Sequence, residues 1–257
     1  LDLDLKGRVV LVAGASRGIG LGITEACLAE GAKVAMIARG VENLEVVRAR
    51  LAGQYGEANV WARAGDMRLT EVIEASVADA EEALGPLWGA VANVGIHPCP
   101  LGIEVDDETW DAGFTQNLDS SFRLGRAVLR GLMARGEGSL LMISSIAGVD
   151  AMGTPLTYGT AKSAVNHLAK ELARVAGPKN VRVNALAPGN IIFPGGSWDE
   201  RSNGPRGESW MRWIEREVPM KRFGTPDEIG AVAAFMLSPR ASFLTGAIAP
   251  VDGGQTR

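Results

Sequence analysis

A chain of 257 residues, 46% hydrophobic and 22% charged, has the make-up of an ordinary globular protein with a full core. Its net charge of −4 gives no basis for binding nucleic acid or a membrane surface. No apolar run approaches a membrane span, the start Leu1–Val10 lacks a signal peptide's regions, and Cys27 and Cys99 suggest no disulfide framework; a cytoplasmic enzyme is expected. No linker, repeat or low-complexity stretch divides the chain, so residues 1–257 are read as a single domain.

Strand-like apolar runs fall near 8–13, 33–38, 59–64, 88–93, 138–144, 180–187 and 247–250. Helix-like segments lie near 18–30, 41–53, 69–85, 107–134, 155–176, 208–217 and 226–237. Gly31-Ala32, Gly85-Pro86 and Gly177-Pro178 punctuate helix ends. This alternation predicts an α/β fold, a Rossmann-like doubly wound parallel sheet with helices on both faces. In such sheets ligands bind beyond the carboxyl ends of the strands, at the switch in strand order. Gly14, Arg39, Asp66, Asn93, Ser145 and Pro188 each follow a predicted strand.

The first strand runs into Gly14-Ala15-Ser16-Arg17-Gly18-Ile19-Gly20 and then a helix. Strand, glycine turn and helix in that order make an anion site, because the backbone can approach closely and the helix N-terminus offers free N–H groups. The spacing is G-x-x-x-G-x-G, not the commonest dinucleotide fingerprint G-x-G-x-x-G; placed after the first strand it reads as a nucleotide site, the plainer reading being a tight connection. The second strand ends in Ala38-Arg39, without the acidic residue that would bind ribose hydroxyls and repel a 2′-phosphate. Arg17 and Arg39 can bracket such a phosphate with charge-assisted hydrogen bonds, or be merely solvated.

Further along, Tyr158 and Lys162 stand four apart in a predicted helix, a rise of about 6 Å that returns to nearly the same face. A neighbouring ammonium is expected to lower the phenol's pKa and turn it into a usable acid or base. Ser145, at the end of a strand, would hold a substrate oxygen beside that phenol. The stretch Phe193–Ser209 is too rich in Gly, Pro and Ser, and too long, for an ordinary connector. It reads either as a disordered loop or as a substrate lid over 193–217. Trp198, Trp210 and Trp213 in that region either line a pocket or pack a helix. His97 with Cys99 is too thin for a metal site, so none is expected; His97 faces the substrate or sits in a surface loop.

Together, Gly14-x-x-x-Gly18-x-Gly20, Asn93-Val94-Gly95, Asn117, Ser145, Tyr158-x-x-x-Lys162, Pro188-Gly189 and Val251-Asp252-Gly253-Gly254 resemble the ordered motifs of the short-chain dehydrogenase/reductase family. The match spans essentially the whole chain. The resemblance implies an oxidoreductase that interconverts a small-molecule carbonyl and a secondary alcohol, using NADP(H) in preference to NAD(H). It implies Asn117, Ser145, Tyr158 and Lys162 as the catalytic set, with Asn117 supporting a proton-carrying water chain and Lys162 also holding the nicotinamide ribose. Gly14, Ser16, Arg17, Gly18, Ile19, Gly20 and Arg39 would hold the phosphates. Asp66 and Met67 would meet the adenine, Asn93 and Gly95 the adenosine ribose, and Pro188, Gly189 and Ile191 the nicotinamide. A homo-oligomer, a tetramer by resemblance, is implied as well. Ala13, Ala92, Val94 and Phe193 depart from the family pattern, and Phe193 stands where a threonine is usual near the nicotinamide amide and pyrophosphate.

Two other readings stay open. One is a reductase of 3-oxoacyl groups on a carrier protein or coenzyme A, docking through Arg123, Arg126 and Arg130. The other is an NADPH-binding sensor or scaffold that keeps the fold without turnover.

Overall fold

The computed structural model describes residues 2–95 and 99–256. Seven parallel strands form one sheet: β1 (Val9–Ala13), β2 (Lys33–Ala38), β3 (Val60–Ala64), β4 (Leu87–Ala92), β5 (Gly138–Ile143), β6 (Val181–Pro188) and β7 (Ile248–Val251). Their order is β3-β2-β1-β4-β5-β6-β7, so the direction of winding reverses between β1 and β4. Every residue of β1, β5 and β6 is buried; β1 and the end of β5 read as continuous apolar runs, while Arg182 of β6 is buried because its guanidinium donates to the carbonyls of Met236, Leu237 and Ser238.

Alternate residues of each strand feed two separate cores. Val10 and Val12 of β1 face α1 (Gly18–Ala29), α2 (Val41–Tyr55) and α9 (Pro226–Leu237). Val9, Leu11 and Ala13 face α3 (Thr70–Leu84), α5 (Ser120–Arg135) and α6 (Leu156–Ala176). The predicted strands and helices are found within two residues of their expected bounds, with two exceptions. The segment read as one helix over 107–134 is α4 (Asp107–Phe114), a π-helical turn at Thr115–Asp119, and then α5. The stretch after β6 holds α7 (Ser197–Ser202) before α8 (Gly207–Glu217), each α-helical.

That stretch carries its own small core. Ile214, Val218 and Phe223 are buried there, with Ile192, Trp198 and Trp213 packed against them. Trp198 stacks on Trp213 at 5.8 Å and meets Trp210 edge-on at 5.6 Å, so of the two readings the tryptophans pack with one another. Among the described residues no helix is long and apolar enough to cross a membrane, and no group of metal-ligating side chains gathers. His97 lies outside the described residues.

Candidate active site

The glycine turn leaves β1 with Gly14 at φ +69° and enters α1 with Gly18 at φ +54°, values that favour glycine. A Cβ on Gly20 would stand 2.6 Å from the Asn93 amide nitrogen and would run into the Gly14 carbonyl, so α1 starts hard against the turn. The Asn93 amide also donates to the Gly14 carbonyl at 3.3 Å, tying the end of β4 to the turn across the switch point. Asn93 thus braces the phosphate loop as well as lying near the expected ribose. Asn43 supports the same loop from α2, donating to the Ser16 carbonyl at 2.8 Å.

Arg17 and Arg39 are both exposed beside this loop. Arg17 reaches over to the Gly195 carbonyl at 3.4 Å. After β3, Asp66 is gripped by Arg68, whose Nε lies 3.0 Å from each carboxylate oxygen and whose Nη2 lies 2.5 Å from Oδ2. That bonding holds the Asp66 carboxyl below its ordinary pKa, with the charge of Arg39 adding to the effect. Arg68 was not anticipated, although a cation two residues from Asp66 in a strand-end turn was a visible signal.

Three expected nucleotide contacts prove to be packed into the protein. The Met67 side chain is buried in the core beside Ile73. Ile191 is buried too, and it closes on Gly224, where an added Cβ would be 2.7 Å from its Cδ1. Gly189 abuts Asp252, whose Cα would lie 2.7 Å from a Cβ there, which fixes β6 against the segment after β7.

Ser145, Tyr158, Lys162 and Asn117 converge beyond β5. The Ser145 hydroxyl accepts from the Ala147 N–H at 3.1 Å and stands near enough to the Tyr158 phenol to influence its titration. Lys162 is buried, and its ammonium donates to the Ile143 carbonyl at 2.9 Å while lying 5.9 Å from the Tyr158 ring centre. Burial lowers its pKa to about 8. The expectation of an acidified phenol is corrected here: burial raises the Tyr158 pKa, and the nearby Ser145 hydroxyl only opposes that rise.

Asn117 sits in the π-helical turn, with its amide donating to the Gly113 carbonyl at 2.9 Å. A Cβ on Gly95 would come 3.0 Å from Asn117 Oδ1 and 3.1 Å from Lys162 Nζ. The absent side chain lets the chain after β4 pack close against Asn117 and Lys162. Exposed arginines at one end and the cluster of Ser145, Tyr158 and Lys162 at the other suit a dinucleotide lying across the switch point.

Residues that sequence reasoning overlooked clamp α6 onto the loop after β5. The Ser144 hydroxyl donates to the Lys162 carbonyl at 3.0 Å, and the Asn166 amide donates to the Gly148 carbonyl at 2.9 Å. A Cβ on Gly148 would stand 2.5 Å from the Lys162 carbonyl carbon. The arginines considered for carrier docking are engaged within the chain. Arg123 binds Asp119 and the Arg68 carbonyl, Arg126 lies over Phe122, and Arg130 pairs with Glu74 at 3.6 Å.

Comparison with known proteins agrees with this arrangement. A family model described as enoyl-(acyl carrier protein) reductase matches residues 14–256. The chain is 34% identical over 252 residues to 2-(S)-hydroxypropyl-CoM dehydrogenase 3 of Xanthobacter autotrophicus, with 98% of each covered. It is 36% identical to galactitol 2-dehydrogenase (L-tagatose-forming) of Cereibacter sphaeroides, covering 98% of this chain and 96% of that one. The crystal structure of L-sorbose reductase from Gluconobacter frateurii, complexed with NADPH and L-sorbose, superposes with a TM-score of 0.93 at 29% identity, covering 100% and 99% of the two chains.

Proposed function

Because this chain belongs to the short-chain dehydrogenase/reductase family, we propose that it interconverts a carbonyl and a secondary alcohol, with NADP(H) as partner and Tyr158 as acid and base. One observation carries the reading: the Tyr158 phenol with Ser145 close by and the buried ammonium of Lys162 on the next turn of the helix, 5.9 Å from the phenol ring. The dinucleotide, when bound, supplies the hydride. Ser145 orients the substrate oxygen and stabilises charge developing on it. Tyr158, protonated at neutral pH, gives its proton to that oxygen in the reductive direction. Lys162 supplies a positive charge beneath the phenol and is held beside Asn117 where the chain after β4 packs against both.

Preference for NADP(H) is supported by Ala38 at the end of β2, where no carboxylate opposes a 2′-phosphate, and by the exposed Arg17 and Arg39. The similarity to a reductase complexed with NADPH points the same way. The similarity to a galactitol dehydrogenase and an L-sorbose reductase makes ketoses and polyols the first substrates to examine. The single-domain reading and a homo-oligomer belong to the same proposal. The exposed Trp110 and Phe122 of α4 and α5 support association, which sedimentation of the purified protein tests.

The test of function is NADPH consumption, with NADH in parallel, over simple ketones, keto esters, ketoses and 3-oxoacyl thioesters. Turnover of ketones or ketoses with NADPH is the expected result. Turnover of thioesters alone would favour the 3-oxoacyl reading, and binding of NADPH without any turnover would favour a sensor.

A further inference from the structure

The three residues that leave the nicotinamide end of β6 alternate between two cores. Ile191 is buried in the core under α1 and α9, Ile192 packs into the small core of the tryptophan segment, and Phe193 turns back toward α1. The Phe193 ring lies directly over Gly18. A Cβ on Gly18 would stand 2.5 Å from Phe193 Cζ and 2.7 Å from Cε1. The same ring closes on Gly196, where a Cβ would be 2.8 Å from Cζ, while Arg17 reaches the Gly195 carbonyl. At this place in a dinucleotide turn the absent side chain lets the backbone approach a pyrophosphate. Here an aromatic ring fills that room. A phenyl ring offers a phosphate no hydrogen bond, and the two cannot occupy the same space.

We propose that Phe193 is a displaceable plug on the pyrophosphate site, and that its departure carries the tryptophan segment with it. This rests on the dinucleotide reading given above. Closure is favoured by burial of the ring against Gly18, Ile19 and the main core. Opening is favoured by an anion that takes up the N–H groups at the start of α1. Ile192, covalently next to Phe193, packs with Ile214, Val218 and Phe223, and the ring itself closes on Gly196 two residues before Trp198, so displacing it loosens that segment. Trp198, stacked on Trp213 and touching Phe223 at 5.3 Å, lies in the same core and reports its movement.

The experiment titrates the whole protein with NADP⁺, reading heat of binding by calorimetry and tryptophan emission in parallel, for wild type, F193A and F193L. A plug closed about nine-tenths of the time raises the apparent dissociation constant about 10-fold. F193A is therefore expected to bind NADP⁺ about 10-fold more tightly. Its emission change on saturation should shrink relative to wild type, and W198F should identify the reporter. F193L keeps an apolar side chain for folding and should fall between the two. Equal or weaker binding by both variants, with the emission change intact, overturns the plug and leaves the cofactor reading standing. Failure of wild type and both variants to bind either NADP⁺ or NAD⁺ overturns the cofactor reading and the plug together.

Discussion

The ammonium of Lys162 donates to the main-chain carbonyl of Ile143, 2.9 Å away, tying helix α6 to the last residue of β5. The bond holds the cation at the mouth of the sheet, and burial exacts a cost that shows in its titration. In the folded protein Lys162 loses its proton near pH 8, whereas an unburied lysine keeps it to 10.5. Between those values the unfolded chain binds the extra proton, so stability due to this group rises with pH across the interval. At neutral pH the charged lysine therefore destabilises the cofactor-free fold. Replacing it by Met removes the charge and keeps the stem. Urea unfolding should show wild type gaining on K162M by roughly 3 kcal/mol as pH rises from about 8 to about 10.5. Parallel curves for the two proteins across that range would refute the account.

Tyr158 titrates in the opposite sense to the sequence expectation, since burial raises its pKa and the nearby Ser145 hydroxyl opposes the rise. The raised pKa makes the phenolate harder to form than in a free tyrosine. Y158F removes only the hydroxyl and leaves Ser145 still bonded to the Ala147 N–H. Turnover should fall by about 10²- to 10⁴-fold, the usual contribution of a positioned acid. NADP⁺ affinity and melting temperature should hardly move. Steady-state kinetics beside calorimetric binding decides it, and a variant of unchanged rate would remove Tyr158 from the chemistry.

Gly148 sets the register between the Ser145 loop and α6. An alanine methyl would press on the Lys162 carbonyl carbon at 2.5 Å and its oxygen at 2.7 Å. Both atoms are backbone, so no side-chain rotation relieves the contact and the helix must shift. The shift strains the bonds from Ser144 to Lys162 and from Asn166 to Gly148. G148A should lose about 1–3 kcal/mol of stability. Its kcat should drop while KM and NADP⁺ affinity stay near wild type, because the reacting groups separate and the phosphate loop is untouched. S144A, which loses one buried hydrogen bond and introduces no clash, should cost about 1 kcal/mol and much less kcat. Full kcat in G148A would show that the clamp does not position the site.

What the sequence revealed and what it hid divide along physical lines. The strands were legible because a parallel sheet buried on both faces demands apolar runs, as in Val9–Ala13. The π-helical turn around Asn117 was not, because one extra residue per turn barely alters the apolar spacing of a long helix. The direction of the Tyr158 shift depended on burial and on where Lys162 points, and neither follows from their four-residue spacing. The Ile143 carbonyl leaves no trace in sequence, since every residue carries one. Arg68 lay two positions from Asp66 and was readable as a partner. The helix at Ser197–Ser202 was masked by flanking glycines and prolines, although the tryptophans hinted at a packed unit.

Cofactor choice turns on the end of β2. Arg39 is exposed there, its charge felt by Asp66 across the mouth of the sheet, and Ala38 offers no carboxylate to a ribose. Arg68 is already committed to Asp66 and Arg17 leans on Gly195, so Arg39 is the cation best placed to meet a 2′-phosphate. A hydrogen bond to a charged group contributes about 1.5–3 kcal/mol, so R39A should weaken NADP⁺ by about 10- to 100-fold. NAD⁺, which lacks that phosphate, should bind R39A as it binds wild type. Added salt should erode the wild-type preference more than it erodes NAD⁺ binding, because the interacting charges are exposed. R17A separates the two arginines: it frees the Gly195 carbonyl as well as removing a charge, so its effect should reach both dinucleotides. Calorimetric titration of each variant with each dinucleotide measures all four affinities. Equal losses for NADP⁺ and NAD⁺ in R39A would mean that Arg39 supports the loop and does not read the phosphate.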